Sequence, residues 1–115
     1  MYLIKGISFF ILISTVANVY SFVIYQKPKW ENINYVGDED LGHLLDIYIP
    51  SQGAGPFPLV ITIAGSAWTD NNNKFWAYKY GGLGEELRKN GFAVVSMNHR
   101  SSYCSNFPAQ IHDVK

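Results

Sequence analysis

A chain of 115 residues has room for one small domain. Hydrophobic residues make up 48% and charged residues 16%, a balance that excludes a disordered chain. Basic and acidic residues number 9 each and form no basic stripe, so nucleic-acid binding has no support.

The first segment, MYLIKGISFFILISTVANVYSF, places Lys5 and the terminal amine before an apolar run from Ile7 to Ala17. Val19 and Ser21 are small enough for the −3 and −1 positions of a signal-peptidase site. This layout predicts a secretory signal peptide over 1–21 and a secreted or periplasmic protein. Weak apolarity continues to Tyr25. The alternative is therefore an uncleaved membrane anchor over 7–25, close to the roughly 20 residues needed to span a bilayer. Cys104 is the single cysteine, so it forms no disulfide within the chain, and it reads as an incidental loop residue.

Residues 22–43 read as an exposed lead-in, with a short edge strand at Ile33–Val36 and His43 in a turn. The stretch HLLDIYIP then alternates. Leu45, Ile47 and Ile49 share the face expected to point inward, Asp46 and Tyr48 share the other, and Pro50 stops the strand. After the Gly/Pro loop SQGAGPFP, LVITIAG is apolar on both faces apart from Thr62, as in a strand covered by helices on both sides. GLGEELRKNG carries Leu83 and Leu87 at i, i+4 and ends in Gly91, a residue suited to the position after a helix. FAVVSMN is a second two-sided strand. Pro108 suits the first turn of a last helix, PAQIHDVK, whose Asp113 would complement the helix dipole. The order strand, strand, helix, strand, helix gives an α/β class with a parallel crossover. So few strands leave a sheet face open, which predicts a fragment or truncated product of a larger domain.

Several blocks, LDIYIP, GPFPLVITIAGSAW, LGEELRKNGFAVVSMNHRSS and FPAQIHDVK, occur in this order. Together they resemble the N-terminal part of an α/β-hydrolase-fold esterase, in the secreted carboxylesterase, acetylxylan-esterase and feruloyl-esterase-like branch. The resemblance covers 44–115. It implies an incomplete three-layer αβα sheet consisting of the N-terminal strands and first helix. It also implies a substrate that is a small ester or an acylated carbohydrate, with no cofactor. In that family a His-Gly-Gly-Gly-Trp loop follows the strand; here it reads Ala64-Gly65-Ser66-Ala67-Trp68. Gly65 and Trp68 match, while Ala64, Ser66 and Ala67 depart from the pattern. By position the resemblance makes the Ser66 and Ala67 N–H groups the oxyanion-hole donors and Trp68 a substrate contact. A left-handed backbone at the substituted positions would cost about 1 kcal/mol or more each.

The family's nucleophile elbow, Gly-x-Ser-x-Gly, does not occur here, so the resemblance places the Ser-Asp-His triad beyond Lys115. His43, His99 and His112 precede that point and are excluded from the triad. Ser66 lacks an elbow and a base, which argues against its being a nucleophile. The scattered His residues show no metal-ligand spacing. Arg100, at a strand end, and Asp113, on the last helix, are expected to form a structural ion pair. The competing function is a non-catalytic remnant or carbohydrate-binding module in which Trp68, Phe75, Trp76, Tyr78 and Tyr80 stack on sugars.

Overall fold

The computed structural model describes residues 26–115; the expected leader at 1–21 and the alternative anchor at 7–25 lie outside the described residues. Four strands form one sheet. They are β1 (Trp30–Asn34), β2 (Leu44–Tyr48), β3 (Leu59–Ile63) and β4 (Ala93–Met97). The spatial order is β1-β2-β4-β3. The β1-β2 and β2-β4 pairs are antiparallel, and β3 runs parallel to β4. A parallel pair cannot be joined by a tight turn. The crossover from β3 to β4 is made by two helices, α1 (Lys74–Lys79) and α2 (Leu83–Lys89), separated by a 3-10 turn at Tyr80–Gly82.

Helix α2 ends where its sequence says it should. Gly91 adopts φ +86°. The Phe92 N–H donates to the Leu87 carbonyl (3.0 Å) and the Gly91 N–H to that of Arg88 (3.1 Å). This is the Schellman pattern, which satisfies carbonyls that the last helical turn leaves open.

Helix α1 is not legible in the sequence. Asn73 offers it no side-chain cap. The Lys74 N–H is instead received by Asn98 Oδ1 (2.8 Å), just beyond β4. A distant residue thus does the work of an N-cap.

The α1–α2 layer covers the sheet face that carries Tyr48 and Val94. The Tyr48 and Tyr78 rings stack with centroids 3.6 Å apart and planes 11° apart. Both rings and Val94 are fully buried, with Leu87 against them. The Tyr78 hydroxyl donates to Glu85 Oε1 (2.8 Å), and Arg88 Nη1 donates to the Tyr78 hydroxyl oxygen (3.4 Å). Burial pushes the Tyr78 phenol above its ordinary range; the Arg88 hydrogen bond opposes the shift and Glu85 adds to it.

The face assignment of β2 is the reverse of the expected one. Asp46 and Tyr48 point into the core, while Leu45 and Ile47 are only half-buried. Alternation distinguishes two faces but does not say which is covered. Here Lys74 decides, because its Nζ bonds Asp46 Oδ2 (2.7 Å) while Asp46 Oδ1 accepts the Asn32 N–H (2.8 Å). The pair is almost wholly buried, and removal of one partner from such a pair costs about 3–5 kcal/mol.

Burial is also redistributed between the parallel strands. β4 is buried along its whole length, whereas Leu59 and Ile61 of β3 are exposed. Both sequences read as two-sided strands, but only β4 has a neighbouring strand on each side among the described residues.

The lead-in is more ordered than expected. Its edge strand occupies Trp30–Asn34 rather than Ile33–Val36. A second 3-10 turn, Leu41–His43, buries Gly42 and His43. A Cβ on Gly42 would approach the Arg100 backbone to 3.0 Å, so this turn seats directly on the chain leaving β4. The last helix, α3, spans Ala109–Val114, with Pro108 just before its first residue.

Candidate oxyanion loop

The chain leaving β3 makes a tight turn at Ser66–Thr69, closed by the Thr69 N–H donating to the Ser66 carbonyl (3.0 Å). The Thr69 hydroxyl donates to the same oxygen (2.6 Å). The two central residues, Ala67 and Trp68, have φ +50° and +63°. Positive φ at both central positions is the signature of a mirror-image turn, which normally recruits Gly or Asn. The backbone is thus held in the region where a side chain costs about 1 kcal/mol or more per residue. Such strain persists only where surrounding contacts over-determine it.

Those contacts come from the segment after β4. The Ser102 N–H donates to the Trp68 carbonyl (2.7 Å) and the Ser101 hydroxyl to the Thr69 carbonyl (2.6 Å). Trp68 lies against the buried His99 ring, centroids 5.0 Å apart. His99 Nδ1 is fixed 3.0 Å from the Arg100 carbonyl. The Ser66 and Ala67 N–H groups, by contrast, find no acceptor among the described residues. Ala67 is exposed and Ser66 half-exposed. Gly65 is also exposed, with open space where a Cβ would be. Neither a close contact nor a positive φ there demands glycine.

Arg100 holds Asp113 with a two-pronged grip. Nε lies 2.9 Å from Oδ1 and Nη2 2.6 Å from the same oxygen, while the Arg100 N–H donates to Oδ2 (2.8 Å). Asp113 is next to the last residue of α3, so its carboxylate serves Arg100 and not the helix's positive end. Burial works to raise the Asp113 carboxyl, but hydrogen bonds from the Arg100 side chain and backbone hold it below the usual carboxylate range.

His43 extends this cluster in a way its turn position does not foretell. Its Nδ1 lies 2.7 Å from Asp38 Oδ2 and its Nε2 3.5 Å from Asp113 Oδ1. The Tyr35 ring meets it edge-on at 5.4 Å, and the Tyr35 hydroxyl donates to the Gly42 carbonyl (2.9 Å). The acids around His43 in GDEDLGH are the one sequence signal for this cluster. His112 is exposed on α3, and Cys104 is exposed in the loop before it. No His/Cys/Asp/Glu cluster with metal-holding geometry and no helix long and apolar enough to cross a membrane occurs among the described residues.

The aromatic residues that would serve a carbohydrate-binding module are divided. Trp68, Phe75, Trp76 and Tyr80 are exposed, but Tyr78 is a core residue and cannot stack on a ligand.

Residues 45–115 match the model of the BD-FAE family. The chain belongs to this family of α/β-hydrolase-like esterases. Two solved structures agree. The bifunctional GH43-CE protein of Bacteroides eggerthii is 49% identical, with a TM-score of 0.70 over 74% of this chain. A truncated carbohydrate esterase from gut microbiota is 47% identical, with a TM-score of 0.69 over the same share. This BD-FAE chain spans 12% of the first protein and 29% of the second. No curated protein matches. The four-stranded mixed sheet with its crossover helices is therefore a carbohydrate-esterase-like segment, as the resemblance implies.

Proposed function

We propose that this chain supplies the oxyanion-hole segment of an exported serine esterase that acts on esters of carbohydrates. Ser66 and Ala67 are the donors, Trp68 is a wall for the substrate, and the nucleophile, acid and base lie outside residues 26–115. The observation that carries this reading is the Ser66–Thr69 turn, whose strained backbone leaves two adjacent N–H groups without acceptors among the described residues. Ester hydrolysis passes through a tetrahedral oxyanion, and fixed dipoles aimed at the developing charge stabilise it. The similarity to a GH43-CE protein and a carbohydrate esterase supports the substrate class. Export rests on the Met1–Ser21 leader. Mass spectrometry of secreted protein should then find Phe22 at the new terminus, whereas intact Met1 in a membrane fraction would favour the anchor.

The experiment is a chimera in which residues 45–115 replace the equivalent segment of the 47%-identical esterase. The chimera should hydrolyse p-nitrophenyl acetate. Ser66→Pro, which deletes one N–H, should lower kcat by about 10²–10³. A folded chimera whose kcat ignores Ser66→Pro would show that this turn is not the oxyanion hole.

A further inference from the structure

We infer that Ser101 is a positioning residue for the Ser66–Thr69 turn, an inference that rests on the oxyanion reading above. Ala67 and Trp68 occupy a backbone region that neither side chain favours. The turn's own closure comes mainly from Thr69, through its N–H and its hydroxyl to the Ser66 carbonyl, with a longer bond from the Asp70 N–H to Ser66 Oγ (3.4 Å). Thr69 is in turn held by its carbonyl, which accepts the Ser101 hydroxyl at 2.6 Å.

Ser101 is buried, so its hydroxyl has no water to exchange for this bond. The same oxygen accepts the Tyr103 N–H (3.1 Å), and the Ser101 carbonyl accepts the Cys104 and Ser105 N–H groups (3.1 and 2.9 Å). The hydroxyl is therefore aimed by a closed loop of its own. The adjacent Ser102 N–H holds the Trp68 carbonyl, so two consecutive residues fix two consecutive carbonyls of the turn. Arg100, gripped by Asp113, anchors this clamp to α3. A glycine loop would hold a mirror-image turn with little help. With Ala67 in place of glycine, the turn depends on the clamp.

The test has two arms. In the full chain, hydrogen exchange is measured by NMR at Thr69 and at the β4 amides. Ser101→Ala should speed exchange at Thr69 by about tenfold, the worth of one ordinary hydrogen bond, and leave β4 unchanged. In the chimeric esterase, Ser101→Ala should lower kcat about tenfold with KM unchanged, less than outright loss of a donor. Ser101→Thr, which keeps the hydroxyl, should restore both readouts. In an Ala67→Gly background, where the turn holds itself, the kcat loss from Ser101→Ala should shrink.

Unchanged Thr69 exchange would overturn the inference, as would acceleration spread equally over β4. Faster Thr69 exchange with undiminished kcat would also overturn the positioning role. In that case, a kcat still sensitive to Ser66→Pro leaves the oxyanion reading standing, whereas an insensitive kcat removes both.

Discussion

Ala67 shares the strain of the turn with Trp68, at φ +50°, a position that is glycine in the His-Gly-Gly-Gly-Trp pattern the loop resembles. Replacement by glycine relieves a left-handed penalty of about 1–2 kcal/mol and adds about 0.5–1 kcal/mol of unfolded-state entropy. Ala67→Gly should therefore stabilise the chain by about 0.5–1 kcal/mol in urea unfolding; a destabilised variant would show that the methyl group makes a contact worth more than the strain. Asp113 sets an acid limit. Its carboxyl is held below the ordinary value of 3.8, so its contribution is complete above that pH. That stability is lost as pH falls from about 4 through the depressed folded value. Asp113→Asn should flatten this part of the stability–pH curve and lower stability at neutral pH, because Arg100 keeps its charge but loses its partner. Equal slopes for the two proteins as pH falls below about 4 would refute the assignment.

Among the elements, α1 and α2 depend on one close approach. A Cβ on Gly84 would clash with Tyr78 Cδ2 and lie 2.6 Å from the Tyr78 carbonyl oxygen. The ring is fixed by its stack on Tyr48 and by Glu85, so it has little freedom to retreat. Gly84→Ala gains helix propensity of about 1 kcal/mol but overpacks the helix pair. The expected net outcome is a loss of about 1–3 kcal/mol by thermal or urea unfolding. Greater stability in the variant would mean that α2 can slide away from α1 freely. The helix signal in GLGEELRKNG marks α2 correctly, because its cap and its leucine spacing are local. Helix α1 rests on Asn98, 24 residues away, and on the burial of Tyr78, so no window of local sequence contains its cause.

At the scale of the whole sheet, the decisive feature is the position of β3 at the end of the strand order among the described residues. Its sequence, LVITI, has no charge, proline or bulge to discourage edge pairing. Leu59 and Ile61 are exposed, and a groove of about 900 Å³ runs beside the strand, lined by Val60, Thr62, Trp76 and Leu83. The 115-residue chain should therefore self-associate as concentration rises. Ile61→Lys should reduce that association in light scattering while changing stability by no more than about 0.5 kcal/mol. A large loss of stability would show that Ile61 is covered in the folded chain.

The sequence by itself determined what depends on neighbours along the chain. It placed β2, β3, β4 and the C-terminal end of α2, because alternation, apolar runs and a glycine after a helix are local signals. The loop GSAW, directly after a strand, was visible as a candidate site for the same reason. The tertiary structure decided which face of β2 is inside, since Asp46 could be buried only once Lys74 arrived from α1. It also decided that β4 and not β3 is covered on both sides, because strand order is a property of the assembled sheet. Above all, it decided the conformation of the loop. Nothing in Ser-Ala-Trp asks for a left-handed backbone; beyond the turn's own closure by Thr69, hydrogen bonds from Ser101 and Ser102, more than 30 residues on, hold it there.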